Sequence, residues 1–269
     1  MEYLIVSTAV SDEIRFAGSP AASPLIAGGG AGLYAYSGAR LWADDVGLLC
    51  GKGNDFADTL GPWFAEHGVS TAAMFPVDAK TPRTLVQYLP NGERVETPLY
   101  GDSHYQRFVA GIDQIAPYCP GCRGMYIFRE ADDALFWDRL LTLKGRYQFV
   151  LLWELSAASA TPEKREQVLS IASRVDILSI NRTEAASLFG CDEEAGPEFL
   201  AVAGIPLVFY RRGRDGALMI RSGERITVPP EKSFPVTDPT GAGNSSSGAV
   251  LAGCCQGRSP EEAGMMGSI

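Results

Sequence analysis

The segment Asp238-Pro239-Thr240-Gly241-Ala242-Gly243-Asn244, with the small-residue run Ser245–Gly253 behind it, carries the strongest chemical signal in the chain. A tight glycine-containing turn that feeds a helix presents unsatisfied backbone N–H groups at the helix N-terminus, where the peptide dipoles also favour negative charge. Glycine at 241 and 243 lets an anion approach the backbone with no Cβ in the way. An ordinary capped turn uses the same residue types, and a lone Gly-x-Gly does not choose between the two. Asn181-Arg182-Thr183-Glu184 sets an amide and a carboxylate three residues apart at the start of an expected helix. There they either face one pocket or close a capping box on each other.

Other motifs fail on spacing. Gly47-Leu48-Leu49-Cys50-Gly51-Lys52-Gly53 is one residue short of a P-loop and has no Ser or Thr after the lysine. The glycines at 28–32 do not spell a dinucleotide fingerprint. Cys119-Pro120-Gly121-Cys122 has no second cysteine pair nearby, and His67 and His104 are the only histidines, too few for a zinc site. It also precedes an apolar run instead of opening a helix after one, unlike a thioredoxin-type motif, and it is read as a plain loop.

In chain order, four motifs together resemble the ribokinase (PfkB-type carbohydrate kinase) family. The 238–244 segment is similar to its C-terminal signature, which implies that Gly241, Ala242 and Gly243 stabilise a phosphoryl group in transfer. The resemblance puts Asn244 where the family carries the aspartate that takes the proton of the attacking hydroxyl. It makes Asp238 a ligand of a monovalent cation, K+. Gly28-Gly29-Gly30-Ala31-Gly32 resembles the N-terminal signature, whose Gly-Gly pair meets the sugar, with Leu33 or Tyr34 in place of the family's asparagine. Asp12 matches the substrate carboxylate. Asn181 and Glu184 match the pair that orders Mg2+, through water, and the nucleotide phosphates. Arg211, Gly213 and Gly216 match the nucleotide loop, with Arg211 in place of threonine and its charge within reach of a phosphate. Together with Trp153-Glu154, the Asn244 variant resembles a divergent branch of the family.

The implied activity is ATP-dependent phosphoryl transfer to a hydroxyl of a sugar, nucleoside or similar small molecule, with ATP and Mg2+ as cofactors. An Asn side chain accepts a hydrogen bond but takes up no proton near neutral pH. Its presence is expected to weaken the chemistry by roughly 10²–10⁴-fold, the usual worth of a positioned base. Two other readings stay open: a nucleotide- or sugar-binding regulator without turnover, and an α/β enzyme of unrelated chemistry that keeps only the anion hole.

The elements that must position these residues follow from periodicity. Short apolar runs at 3–7, 46–50, 125–128, 149–153, 177–180 and 206–210 read as strands. Amphipathic stretches at 31–41, 55–67, 132–142, 162–173 and 182–189 read as helices between them. The alternation predicts a mostly parallel sheet covered by helices on both faces, in a single domain of residues 1–269. Thr84–Leu89 and Arg94–Thr97 flank Pro90-Asn91-Gly92-Glu93 as a hairpin, and Ile14–Phe16 and Ser23–Ile26 suit short strands. These pieces, about 13–27 and 81–101, read as a small β lid or as a surface excursion. The resemblance allows two copies to pair through the lid. It also implies a helix beyond 255 that helps form the adenine pocket, with the chain ending about where that helix begins.

The chain has 269 residues, a formal charge of −9 and no basic run, which argues against nucleic acid as a partner. The acidic residue at position 2 and the short first apolar run do not suit a signal peptide or a membrane span. Six scattered cysteines fit a reducing, cytoplasmic setting.

Overall fold

The computed structural model describes residues 1–16, 25–89, 94–232 and 238–269. The expected turn at 90–93 and the first two positions of the expected strand at 23–26 lie outside the described residues. In chain order the strands are β1 (Tyr3–Val6), β2 (Val10–Phe16), β3 (Leu25–Gly29), β4 (Val46–Leu49), β5 (Gly51–Gly53), β6 (Phe75–Asp78), β7 (Arg83–Tyr88), β8 (Arg94–Pro98), β9 (Gly124–Phe128), β10 (Val150–Glu154), β11 (Ile177–Asn181), β12 (Val208–Arg211), β13 (Ala217–Arg221) and β14 (Glu224–Val228). The helices are α1 (Ala31–Arg40), α2 (Gly61–Glu66), α3 (Asp102–Gln106), α4 (Ile112–Ile115), α5 (Ala134–Tyr147), α6 (Arg165–Ala172), α7 (Arg182–Phe189), α8 (Gly196–Val202), α9 (Ala242–Cys255) and α10 (Pro260–Ser268).

Eight strands form one sheet in the order β14-β13-β12-β11-β10-β9-β1-β4. Neighbours from β4 to β12 run parallel, and β13 and β14 turn back antiparallel at the far edge. Successive residues of each strand point to opposite faces, and both faces are apolar. Leu4, Met125, Ile127, Leu151 and Trp153 pack with Phe136 and Leu140 of α5 and Val168 of α6. Ile5, Tyr126, Leu152, Ile177 and Phe209 pack on the other side with Leu33 and Tyr36 of α1 and Val250 and Leu251 of α9. Each of these large side chains, fully buried, contributes about 1.5–3 kcal/mol from its apolar area. Trp153 also satisfies its indole N–H on the Arg129 carbonyl at 2.9 Å.

Two helices cross at van der Waals contact of their backbones. A Cβ added to Gly38 of α1 would overlap the Ser245 carbonyl oxygen, and one added to Gly248 of α9 would overlap that of Ala35. Only glycine fits at either position, and the crossing fixes α1 beside the first turns of α9.

A second, four-stranded sheet has the order β3-β2-β7-β8. β2 pairs antiparallel with β3 and parallel with β7, and β7 pairs antiparallel with β8, so the two strands of the expected hairpin are present. Asp12 lies inside β2, opposite Ala27 and Thr84, and pairing on both sides extends the strand back to Val10. The expected helix at 55–67 is broken into a 3-10 turn at Phe56–Asp58 and the short α2, which restarts at Gly61-Pro62. Among the described residues no helix is long and apolar enough to cross a membrane. All six cysteines are free. Cys119 and Cys122 are buried under β9, where burial pushes their thiols up to about 11 and about 12, values at which they stay protonated and poorly reactive.

Candidate active site

At Gly241 the backbone takes φ 76°, the left-handed value that favours glycine, and α9 begins. The turn before it is held by Asp238, whose Oδ1 accepts from the Thr240 N–H at 2.9 Å and the Thr240 hydroxyl at 2.6 Å. Asp238 Oδ2 accepts from the Tyr88 hydroxyl at 2.9 Å, which ties the smaller sheet to this turn. Both carboxylate oxygens thus hold protein donors, an arrangement that fastens the turn and lends no support to a cation at Asp238. The Ala242 N–H donates to the Pro239 carbonyl at 3.2 Å, so one of the three expected anion-hole amides is used within the turn. The N–H groups of Gly243 and Asn244 find no acceptor among the described residues. They stand at the positive end of a 14-residue helix and can receive an anion.

The floor under this turn is polar and buried. Asn244 Nδ2 donates to the Tyr126 hydroxyl at 3.0 Å. Tyr126 is fully buried in β9, and burial, then the nearby Glu154 carboxylate, push its phenol well above the ordinary range, so it stays protonated. The Ser247 hydroxyl donates to the Gly243 carbonyl at 3.0 Å and pairs with Ser179 of β11 at 2.8 Å. Glu154, at the carboxyl end of β10, is 2% exposed and meets Nη2 of Arg211 through Oε1 at 2.6 Å. Its Oε2 and the Arg211 Nε are buried without hydrogen-bond partners. Burial raises the Glu154 carboxyl to about 7 against the opposing pull of Arg211.

Asn181 and Glu184 form the capping box. Asn181 Oδ1 accepts from the Glu184 N–H and Glu184 Oε2 accepts from the Asn181 N–H, each at 2.8 Å. Glu184 Oε2 also lies 3.5 Å from Nη2 of Arg211, and burial raises its carboxyl despite that cation. Arg211 therefore spends Nη2 on two carboxylates. Its Nη1 rests on Gly243, where an added Cβ would overlap it. Gly213 and Gly216 have φ 60° and 80° and close the loop after β12, in which the Arg212 N–H bonds the Gly216 carbonyl at 2.8 Å.

The glycine tract at 28–32 packs around the β1–β2 connection. A Cβ at Gly29 would overlap Oδ2 of Asp12, which is 8% exposed, and one at Gly30 or Gly32 would fall 2.7 Å from the Thr8 carbonyl. Gly28 lies against Leu33 and Trp63. Leu33 is 1% exposed and belongs to the apolar layer between α1 and the sheet, so it cannot line a ligand as expected. Its neighbour Tyr34 covers Gly241 instead, its ring occupying the space a Cβ would need. A continuous run of contacts therefore leads from Asp12 over Gly29 and the start of α1 to Tyr34 and the 241–244 turn. Asp12, Gly29, Gly241, Gly243, Asn244, Glu184 and Arg211 all gather at the carboxyl ends of the parallel strands, where open α/β sheets bind ligands.

Residues 139–268 match the family described as pfkB family carbohydrate kinase. That match takes in just under half of the chain. A cytidine kinase of Thermococcus kodakarensis is 32% identical over 110 residues, which span 39% of this chain and 38% of that enzyme. The ribokinase-like fold extends over the whole chain. An adenosine kinase structure from Sinorhizobium meliloti superposes with a TM-score of 0.81 at 20% identity, covering 99% of this chain and 91% of that one. The ribokinase of Thermotoga maritima does so with a TM-score of 0.71 at 18% identity, covering 99% and 90%.

Sequence reasoning did not assign Tyr126, Ser179, Ser247 or a site role for Glu154. A polar residue at the end or middle of an apolar strand looks the same whether it meets solvent or a helix N-terminus. The one available sign was a Glu directly after the apolar run Val150–Trp153. Among the described residues no group of three His, Cys, Asp or Glu side chains is placed to hold a metal. A Mg2+ bound chiefly by phosphates and water takes one or two carboxylates from the protein; Glu184, whose Oε2 is spent on the Asn181 N–H and Arg211, would have Oε1 to offer one.

Proposed function

We propose that the chain transfers a phosphoryl group from ATP to a hydroxyl of a sugar, nucleoside or similar small molecule, in a cytoplasmic setting. The observation that carries this reading is the pair of open amides at Gly243 and Asn244, on the same side of the sheet as Asp12. In this reading Asp12, with Gly28 and Gly29 beside it, accepts hydrogen bonds from the acceptor molecule. The amides of Gly243 and Asn244 hold the transferring group. Arg211, Gly213 and Gly216 serve the nucleotide. Asn181 and Glu184 orient water on Mg2+, which when bound neutralises phosphate charge. The smaller sheet acts as a lid, latched by Tyr88 on Asp238; exposed Phe16, Leu25, Ile26 and Val95 on that sheet support pairing of two copies through it.

Asn244 turns its Nδ2 to Tyr126, which leaves Oδ1 to accept the hydrogen bond of the attacking hydroxyl. It orients that hydroxyl but takes no proton, so the proton leaves to a phosphate oxygen or to water. Phosphoryl transfer depends mainly on alignment and charge stabilisation, which this site retains. The second reading is a ligand-binding protein without turnover. It is favoured by the way Asn244 is built into a buried network as an amide.

Both are tested by measuring phosphate transfer from ATP to a panel of sugars and nucleosides, with wild type and Asn244→Asp. A weakened kinase shows slow transfer that Asn244→Asp raises by about 10²-fold or more. Nucleotide binding with no transfer in either form selects the binding protein. Failure of wild type to bind ATP or phosphate rejects both.

A further inference from the structure

Arg211 stands where the nucleotide loop begins, yet its Nη2 is fully occupied by Glu154 Oε1 at 2.6 Å and Glu184 Oε2 at 3.5 Å. A long side chain held by one amino group has that end fixed, and the other end is aimed as a consequence. Here the other end is Nη1, which lies on the Cα face of Gly243, one residue from the open amide of Asn244. No acceptor for Nη1 is present among the described residues, whereas the Nε is sealed in the interior. Glycine at 243 is required for this approach, since a Cβ would overlap Nη1. Glu154 is the stronger of the two anchors by distance and by burial, at 2% exposure against 12% for Glu184. Charge-assisted hydrogen bonds of a guanidinium to a phosphate are about twice as strong as neutral ones, so a donor aimed here adds substantially to two backbone amides.

We propose that Glu154 is a positioning residue: it clamps Arg211 so that Nη1 completes, with the amides of Gly243 and Asn244, a three-donor cradle for a phosphate. The cradle supplies fixed positive charge at the phosphoryl group in a site that has an amide where a base is expected. This inference rests on the phosphotransfer reading and adds to it a role for a buried residue that touches no ligand.

The test is calorimetric binding of ATP and of inorganic tripolyphosphate, without metal, to wild type, Arg211→Met, Glu154→Gln and the double variant. Thermal melts establish that each is folded. Arg211→Met is expected to lose about 10-fold or more in affinity for tripolyphosphate, the scale of one charge-assisted bond. Glu154→Gln should lose a smaller factor, and the double variant should bind no worse than Arg211→Met alone, because Glu154 acts only through Arg211. Losses that multiply in the double variant would mean that Glu154 has a merely structural role, and would overturn the proposal. So would wild-type affinity in Arg211→Met, while leaving the nucleotide reading intact. If Glu154→Gln does not fold, Arg211→Lys decides: it keeps the charge but not the fork, and should lose most of what Arg211→Met loses. Absence of any binding to wild type overturns the functional reading and this inference together.

Discussion

Replacing Glu154 by Gln should change how stability depends on pH. Burial raises the Glu154 carboxyl from an ordinary 4.5 to about 7. A shift of that size corresponds to about 3 kcal/mol between the two protonation states. Between pH 4.5 and 7 the folded chain keeps a proton that the unfolded chain has released. Stability from this group is therefore complete below about pH 4.5 and is lost as pH rises through 7. Gln is neutral throughout and similar in shape, so the variant lacks this slope. Carboxyls held low by their neighbours, such as Asp55 and Asp133, contribute the opposite slope at lower pH. They are common to both proteins and cancel in the difference. Urea unfolding at about pH 5, 6, 7 and 8 should show Glu154→Gln gaining on wild type by about 2–3 kcal/mol across the range. Parallel curves, within about 0.5 kcal/mol, would mean that Glu154 ionises as an ordinary carboxylate and that the buried network is wrongly described.

Gly38→Ala should destabilise by about 1–3 kcal/mol or more, as overpacking of a backbone contact does, and lower the melting temperature although residue 38 touches no ligand. Tyr126→Phe removes the acceptor of the Asn244 amide and should cost about 1 kcal/mol in urea unfolding; unchanged stability would mean that the bond is not formed. Tyr88→Phe breaks an exposed bond to Asp238. It should leave global stability within about 0.5 kcal/mol but speed proteolysis in the smaller sheet, and equal cleavage rates would argue against a latch.

The parallel core was readable because its strands are branched apolar runs broken by amphipathic stretches, as at Val150–Trp153 and Ile177–Ile180. β13 and β14 were missed. Their turn, Ser222-Gly223, has φ 52° and 85°, the paired positive values of a tight hairpin, and the Ser-Gly dipeptide was the unread signal. α10 was also present in the sequence as Ser259-Pro260-Glu261-Glu262. Ser259 Oγ accepts from the Glu262 N–H at 3.2 Å and Glu262 Oε2 from the Ser259 N–H at 2.8 Å, a capping box with Pro in its first turn. The glycine turn was marked by type and spacing, whereas Asp12 was singled out only by the family resemblance. The burial of Glu154 and Arg211 was not marked, because their pairing joins residues far apart in the chain and depends on sheet order, which no local pattern contains.

If the chain transfers phosphate as proposed, the glycine-to-backbone crossing of α1 and α9 bears on selectivity. It welds the wall carrying Tyr34 to the turn carrying Asn244, so the span from one to the other works as a ruler of constant length. In that reading the four-stranded sheet is the roof, tethered to the turn by half-buried Tyr88. Variation in which molecules are accepted should therefore accumulate in the roof, while the ruler stays the same.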